Sequence, residues 1–381
     1  MKFSIKRQKL LASIQEVSNA ISPRAAVIPI LTGMKLNMNN DTLTLTGSNS
    51  DITIESTIKS KDGDEEVITD ISNGSIVLPV PHFPDIIKKL PGEIVHIEVK
   101  DNYQTIIRSE KSVFELHGQS SEEYPRIYVE KDNPHFSIPA KDLKKLIRQT
   151  VFAVSTMETR PILTGVHVSF HDGNVRFTST DTHRLARSEA NVDLLDKQTA
   201  DLSIVIPGQS LLELSKIINN VEETIYISIM KNQVVFYTDH LLFISRLLSG
   251  TYPDTDRLIP TNVKSTLRMK TKEFIRTLDR AALLASEEQN HVVRFEALGK
   301  PFIEISSNSP EIGRVNEQME IISHEGEEVN ISFSSKYLLE ALRTIDSEEV
   351  NISFTGPMHP FMVTNPENEK ILHLILPVRT F

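Results

Sequence analysis

Pro29-Ile30-Leu31-Thr32-Gly33 recurs letter for letter as Pro161-Ile162-Leu163-Thr164-Gly165, at an offset of 132. An identical pentapeptide at that spacing marks an internal repeat, and a repeat governs how every other segment is read. Upstream of each copy a short strand pattern runs into a helical one. Phe3, Ile5, Leu10 and Ile14 in the first unit match Phe136, Ile138, Leu143 and Ile147 in the second, at an offset of 133. Leu267, Met269, Phe274 and Leu278 open a third unit, a further 131 residues along.

Downstream, each unit alternates apolar and polar residues around a turn, the pattern of a half-buried hairpin. Met34, Leu36 and Met38 precede Asn39-Asn40-Asp41, with Leu43 and Leu45 after it. Val166, Val168 and Phe170 precede Asp172-Gly173, with Val175 and Phe177 after it, and Val293, Phe295, Ile303 and Ile305 form the third hairpin. A second strand and helix follow in each unit, at Ile76 to Leu90, Ile204 to Ile218 and Ile331 to Ile345. The helical positions Leu211, Leu214, Ile217 and Ile218 fall three and four apart, as an amphipathic face requires. Tyr124-Pro125 and Tyr252-Pro253 close the first two units. The expected fold is α+β: three similar domains, at 1–128, 129–260 and 261–381, each with two helices on antiparallel sheet. No Gly/Ser-rich linker separates them, so domains packed side by side are expected.

The 381 residues carry no cysteine, which excludes disulfides, thiolate metal sites and cysteine nucleophiles. Charges in Met1-Lys2-Phe3-Ser4-Ile5-Lys6-Arg7 interrupt any secretory pattern, and no apolar run reaches membrane-spanning length. A cytoplasmic protein without a membrane partner is expected. The net charge of −10 is unevenly spread. Helix windows 6–20, 81–91, 139–153, 207–219, 270–285 and 334–346 together carry +8, leaving −18 elsewhere. Lys6, Arg7 and Lys9, then Lys141, Lys144, Lys145 and Arg148, then Lys270, Lys272, Arg276 and Arg280 put basic residues on the leading helix of every unit. If those helices share one face, that face attracts a polyanion while the acidic remainder repels it. Lysine and arginine also simply solvate exposed helices, and that plainer reading applies to any one helix alone. No zinc-finger spacing and no tryptophan is present, so contact would be with phosphates, independent of base sequence.

The densest polar cluster is Ser179-Thr180-Asp181-Thr182-His183-Arg184-Leu185. Asp181 and His183 could in principle move a proton or hold a metal, which would make the chain a hydrolase. No second ligand cluster follows, and no P-loop, dinucleotide or nucleophile-elbow motif occurs, so neither catalytic residues nor a cofactor is expected. The equivalent turns, Ser48-Asn49-Ser50-Asp51-Ile52 and Asn308-Ser309-Pro310-Glu311-Ile312, lack the His-Arg pair, which is therefore a local addition. A protein-binding repeat scaffold without DNA is a third reading.

Met1-Lys2-Phe3, the Pro-Ile-Leu segments, Thr180-Asp181-x-His183-Arg184-Leu185-Ala186, Tyr252-Pro253-Asp254 and Leu376-Pro377-Val378-Arg379 resemble the hallmarks of the bacterial beta sliding clamps, the beta subunits of DNA polymerase III. The likeness spans the whole chain. It implies three similar domains per chain and two chains closed head to tail in a ring around duplex DNA, with helices inside. It further implies a processivity factor that is not an enzyme. Expected partners are the polymerase III catalytic subunit, an ATP-dependent clamp loader, and other replication and repair proteins carrying a clamp-binding peptide.

The resemblance implies a partner-peptide groove walled by Thr180, His183, Arg184, Leu185, Pro253, Leu258, Met358, Pro360, Leu374, Leu376, Pro377, Val378 and Arg379. A mostly apolar groove with few polar anchors suits a peptide bearing a glutamine and bulky aliphatic or aromatic residues. It also implies DNA contacts at Arg24 and Arg160 beside Lys141, Lys144, Lys145, Arg148, Lys272 and Arg276, and a dimer interface pairing Phe114 and Leu116 with Leu283 and Leu284. Two departures stand out. Position 182 is threonine where the family often has a smaller residue, and the loop after Arg24 is one residue longer than in some relatives.

Overall fold

The structure is a computed structural model describing residues 1–21, 28–125, 134–171, 173–196, 202–285, 291–299, 301–309 and 312–379. Arg24, Asp172, Pro310 and Glu311 lie outside them. Six α-helices occur among the described residues: α1 (Arg7–Ser18), α2 (Phe83–Lys89), α3 (Ala140–Thr150), α4 (Gly208–Ile217), α5 (Thr271–Ala282) and α6 (Ser335–Leu342). Each falls within one of the six expected windows.

The spacing of apolar residues explains them. In α1 the buried positions are Leu10, Ser13, Ile14 and Val17, and in α5 Thr271, Phe274, Thr277, Leu278 and Ala281, a single stripe three and four apart. The repeated pentapeptide forms a short 3-10 turn at Pro29–Thr32 and again at Pro161–Thr164. Proline opens each turn, where a missing N–H costs nothing. The threonine hydroxyl then donates back to the proline carbonyl, at 2.8 Å from Thr32 and 2.7 Å from Thr164. The closing glycine starts the next strand because nothing larger fits. A Cβ on Gly33 would lie 2.5 Å from Val77 Cγ1, and one on Gly165 2.6 Å from Val205 Cγ1.

The repeats do not each own their sheets. One nine-stranded sheet joins five strands of the second repeat, its opening strand Phe136–Pro139 among them, to four of the first through Leu241–Arg246 beside Ile52–Lys59, antiparallel, with Leu241 opposite Ser56 and Phe243 opposite Ile54. Another joins Arg184–Asn191 to Asn368–Ile375, with Arg184 opposite Ile375 and Leu185 opposite Leu374. The chain accordingly packs as two compact units. One is Met1–Lys141, Asp193–Thr199 and Gln209–Leu247; the other is Asp142–Val192, Ala200–Gly208 and Leu248–Phe381. The middle repeat is divided between them, because each of its two half-sheets continues into a neighbouring repeat. Unpaired strand edges leave backbone donors and acceptors open, and these two junctions satisfy four such edges by pairing them across repeats.

Two shorter sheets and a two-stranded ribbon, Lys61–Asp62 beside Glu65–Glu66, complete the fold among the described residues. A five-stranded sheet ends at Ser112–His117 and a four-stranded sheet ends at Gly313–Glu320. The second unit is filled by fully buried aromatic rings. Phe295 meets Phe274 at 6.4 Å, Phe333 at 6.1 Å and Phe354 at 5.6 Å between centroids. Truncating such a ring loses its transfer energy and leaves a cavity. Phe295→Ala should cost about 3–5 kcal/mol in chemical denaturation, whereas the larger-volume replacement Phe295→Leu should cost visibly less.

Candidate functional site

The cluster around Thr180 sits where the second repeat's strand Arg184–Asn191 meets the final strand, Asn368–Ile375. Leu185, Leu374 and Met362 share one face there and are buried, with Ile259 and Leu372 packed against them. Leu185 and Leu374 thus lie beneath the surface as a floor, not on it as walls. Leu258 and Met358 are each 49% exposed above the sheet, and Pro253 is exposed. Pro360, Leu376, Pro377 and Val378 are half-buried, and Arg379 is exposed. The tail leaves the sheet after Ile375. Leu376 N donates to His183 O at 3.0 Å and Val378 N to Ser332 O at 2.7 Å, which strings 376–378 between two segments.

Arg184 is buried at 8% exposure, and its guanidinium is fully engaged. Nε donates to Asp181 Oδ2 at 2.9 Å, one Nη to Phe152 O at 2.6 Å, and the other pairs with Glu340. Its plane lies over Tyr337 at 4.5 Å and Phe152 at 5.2 Å. A buried charge persists only when paired and hydrogen-bonded, so this residue ties the site together and is not an open anchor for a ligand. Asp181 is equally committed. Its Oδ1 accepts from the backbone N–H of His183 (2.9 Å) and Arg184 (3.0 Å), while the His183 ring stacks near Tyr337 at 6.4 Å. That arrangement shapes a turn and leaves no carboxylate poised as a base. Among the described residues no group of three metal-ligating side chains gathers.

The turn is strained at Thr182, whose φ is 79°. A β-branched residue there is an outlier, and Thr182 N donating to Thr180 Oγ1 at 3.1 Å helps hold it. Thr180 is buried. Its hydroxyl donates to Arg184 O at 2.6 Å, and its N–H donates to the Tyr252 hydroxyl at 3.1 Å, a phenol whose pKa burial raises.

Beneath the floor lies His373, fully buried. The Thr344 hydroxyl donates to Ala341 O at 2.7 Å, so at the 3.0 Å contact with His373 Nε2 it can only accept. His373 therefore carries its proton on Nε2, and its Nδ1 has no hydrogen-bond partner among the described residues. Burial, then the nearby Arg184 charge, push its pKa from 6.5 down to about 3.

The basic helices divide unequally. Lys141, Arg148, Lys272, Arg276 and Arg160 are exposed, and Lys144 and Lys145 half-buried; Arg148 pairs with Asp346. With the repeat offsets applied strictly, Gln8, Ala12 and Gln15 of α1 stand where α3 has Lys141, Lys145 and Arg148 and α5 has Lys272, Arg276 and Asp279. Lys6 and Lys9 instead turn to an acidic ribbon, Lys6 to Glu65 and Lys9 to Asp62 at 2.8 Å. Basic character is thus not the same on all three leading helices, a correction to the sequence reading. At the sheet ends, Phe114 is 40% exposed, Leu283 is 80% exposed, and Leu116 and Leu284 are half-buried.

The aromatic pair Phe152 and Tyr337, the tie to Glu340, and buried His373 escaped the sequence reading. Their only sequence signal was the local His183-Arg184 addition, which implies partners without naming them.

A threefold α+β repeat whose sheets run from one repeat into the next defines the clamp fold. Family models for the N-terminal, central and C-terminal domains of the DNA polymerase III beta subunit match residues 1–128, 137–254 and 256–379. The chain is 49% identical to the beta sliding clamp of Bacillus subtilis and 44% identical to that of Halalkalibacterium halodurans, over all of both chains in each case. The crystal structure of the Bacillus subtilis DNA polymerase sliding clamp superposes with a TM-score of 0.95 at 49% identity, again covering both chains fully. The beta subunit from the DNA polymerase of Streptococcus pyogenes gives 0.93 at 36%, with full coverage of both. The chain belongs to the bacterial beta sliding clamp family.

The His373 shift fixes a sign. A histidine whose folded pKa lies below its unfolded value stabilises the fold fully above pH 6.5, and that stability is lost as pH falls toward 3. Between pH 7 and pH 5 the loss should be about 2 kcal/mol, measurable as a fall in denaturant midpoint. His373→Gln should flatten the difference.

Proposed function

We propose that this chain is a non-catalytic processivity subunit that encircles duplex DNA as a head-to-tail pair and tethers the replicative polymerase through the groove around Leu376 and Val378. The observation that carries the paired state is the strand count. Each nine-stranded sheet joins five strands of one repeat to four of another, through Leu241–Arg246 against Ile52–Lys59 and through Asn368–Ile375 against Arg184–Asn191. By repeat position, Ser112–His117 corresponds to the first member of each junction and Gly313–Glu320 to the second, and these end the sheets of five and four strands. A second copy supplies the missing partner for each edge. Apolar residues exposed on or beside those edges, Val113 and Phe114 on one, Ile312 just before the other and Leu283 at the end of the helix α5 that packs on it, support the same pairing.

Within such a ring the basic faces of α3 and α5 meet phosphates and centre the duplex, with Arg160 and Arg24 as further phosphate contacts. These contacts are sequence-blind and weak, and topology replaces affinity: a closed ring cannot leave sideways but slides freely. A polymerase peptide in the groove keeps the enzyme at high effective concentration near its template. The groove presents Leu376, Pro377, Val378, Leu258, Met358, Pro253 and Pro360 above a floor of Leu185 and Leu374, with Thr180, His183 and Arg379 as polar margin. Other replication and repair proteins with a similar peptide dock at the same place. Opening the ring falls to an ATP-dependent loader, since the sequence has no nucleotide-binding motif. No helix among the described residues is long and apolar enough to cross a membrane, and the place of action is the cytoplasm, where the DNA is.

Protein loaded on nicked circular duplex should stay bound through gel filtration and be released when the circle is cut. Equal retention on linear DNA with free ends would refute sliding. Leu376→Ala combined with Val378→Ala should remove about 3 kcal/mol of apolar contact, roughly a hundredfold in peptide affinity. Polymerase stimulation should fall with it while the mass in solution remains that of a dimer.

A further inference from the structure

The segment from Tyr252 to Ile259 lies as a strap over the sheet face that floors the groove. Its start is fixed by Tyr252, whose ring stacks on His167 at 5.0 Å and 10° and whose hydroxyl accepts from Thr180 N. Its end is fixed by Ile259, packed on Leu185, Met362 and Leu374. Between these points stands the 3-10 turn Asp256–Leu258, which carries Leu258 to the surface.

One carboxylate oxygen anchors that turn. Asp256 Oδ1 accepts from Arg187 Nη2 at 2.5 Å and lies 3.5 Å from Arg176 Nη1. Arg187 is the next residue but one after Leu185 on the same strand, so both project from the same face. Arg187 is only 11% exposed along its side chain, and its Nε has no hydrogen-bond partner among the described residues. Arg176 is held in turn by Glu189, Nε to Oε1 at 2.6 Å. Asp256 itself is 64% exposed. An arginine this deeply buried is costly without a carboxylate, so the sheet holds the strap through Asp256 more firmly than a fully exposed pair would.

We propose that Asp256, gripped by Arg187 and Arg176, is the latch that fixes Leu258 as a wall of the partner groove, making all three positioning residues for peptide binding. This rests on the groove reading above. Without the latch the turn is tied at Tyr252, at Ile259 and by the long 3.4 Å bond from Arg187 Nη2 to Thr255 Oγ1, and Leu258 samples positions that do not contact a bound peptide. Ordering it then opposes binding.

The probe is a fluorescent synthetic peptide containing one glutamine followed by bulky aliphatic and aromatic residues, read by anisotropy with the full-length protein. Leu258→Ala should weaken it about tenfold and Asp256→Asn about fivefold, with Asp256→Glu within about twofold of wild type. The combination of Asp256→Asn with Leu258→Ala should bind no more weakly than Leu258→Ala alone, because the latch acts through that one side chain. Additive losses would overturn the proposal, as would an Asp256→Asn protein that binds like wild type. A wild-type protein that does not bind the peptide at all would instead sink the groove reading. A second measurement needs no ligand. Arg257, 87% exposed, is a tryptic site within the strap. Arg187→Met leaves the residues flanking it unchanged, and cleavage after Arg257 should become about fivefold faster as the strap loosens. Unchanged cleavage would also overturn the latch.

Discussion

The structure depends on the need of a sheet's outermost strand for a partner. Each repeat contributes one half-sheet of five strands and one of four, and neither is closed. Leu241–Arg246 finds Ile52–Lys59, and Asn368–Ile375 finds Arg184–Asn191, so backbone hydrogen bonds tie repeat to repeat. Hydrophobic burial fills the layers, but ladder pairing decides which halves belong together. That is why the middle repeat is divided between two compact units although its sequence forms one module.

The second of those junctions also builds the candidate groove. Leu185 opposite Leu374 makes an apolar floor, while Arg184, one residue away and on the opposite face, reaches Asp181, Glu340 and the Phe152 carbonyl. The seam therefore has an apolar side that can receive a ligand and a charged side that holds the seam closed. His373 sits on the charged side with Arg184, and its uncharged state follows from that placement. Neutral histidine, paired arginine and the left-handed Thr182 are parts of a single junction.

Much of this was legible in the sequence, for identifiable reasons. The pentapeptide and the matched strand and helix patterns gave the repeat, since core-facing residues recur with the period of their element. Helix windows were recoverable because apolar stripes three and four apart have few other readings. Strand partners were not, because alternation reports which face is buried and says nothing of the neighbouring strand. The burial of Arg184 was hidden for a related reason: Phe152, Tyr337 and Glu340, which make burial of the charge tolerable, are remote from it in sequence. The weaker basic character of α1 is legible once the repeat register is applied, since Gln8, Ala12 and Gln15 fall at the positions of Lys141, Lys145 and Arg148.

The strand edges at Ser112–His117 and Gly313–Glu320 have a consequence for assembly. They are unlike strand edges, one on the first repeat and one on the third, so each molecule that joins another leaves one of each still vacant until the series meets its own beginning. Whether such a series finishes after two members or runs on as a fibre is set by the rotation that the contact imposes between successive copies. Small changes in that rotation would convert a discrete particle into a polymer.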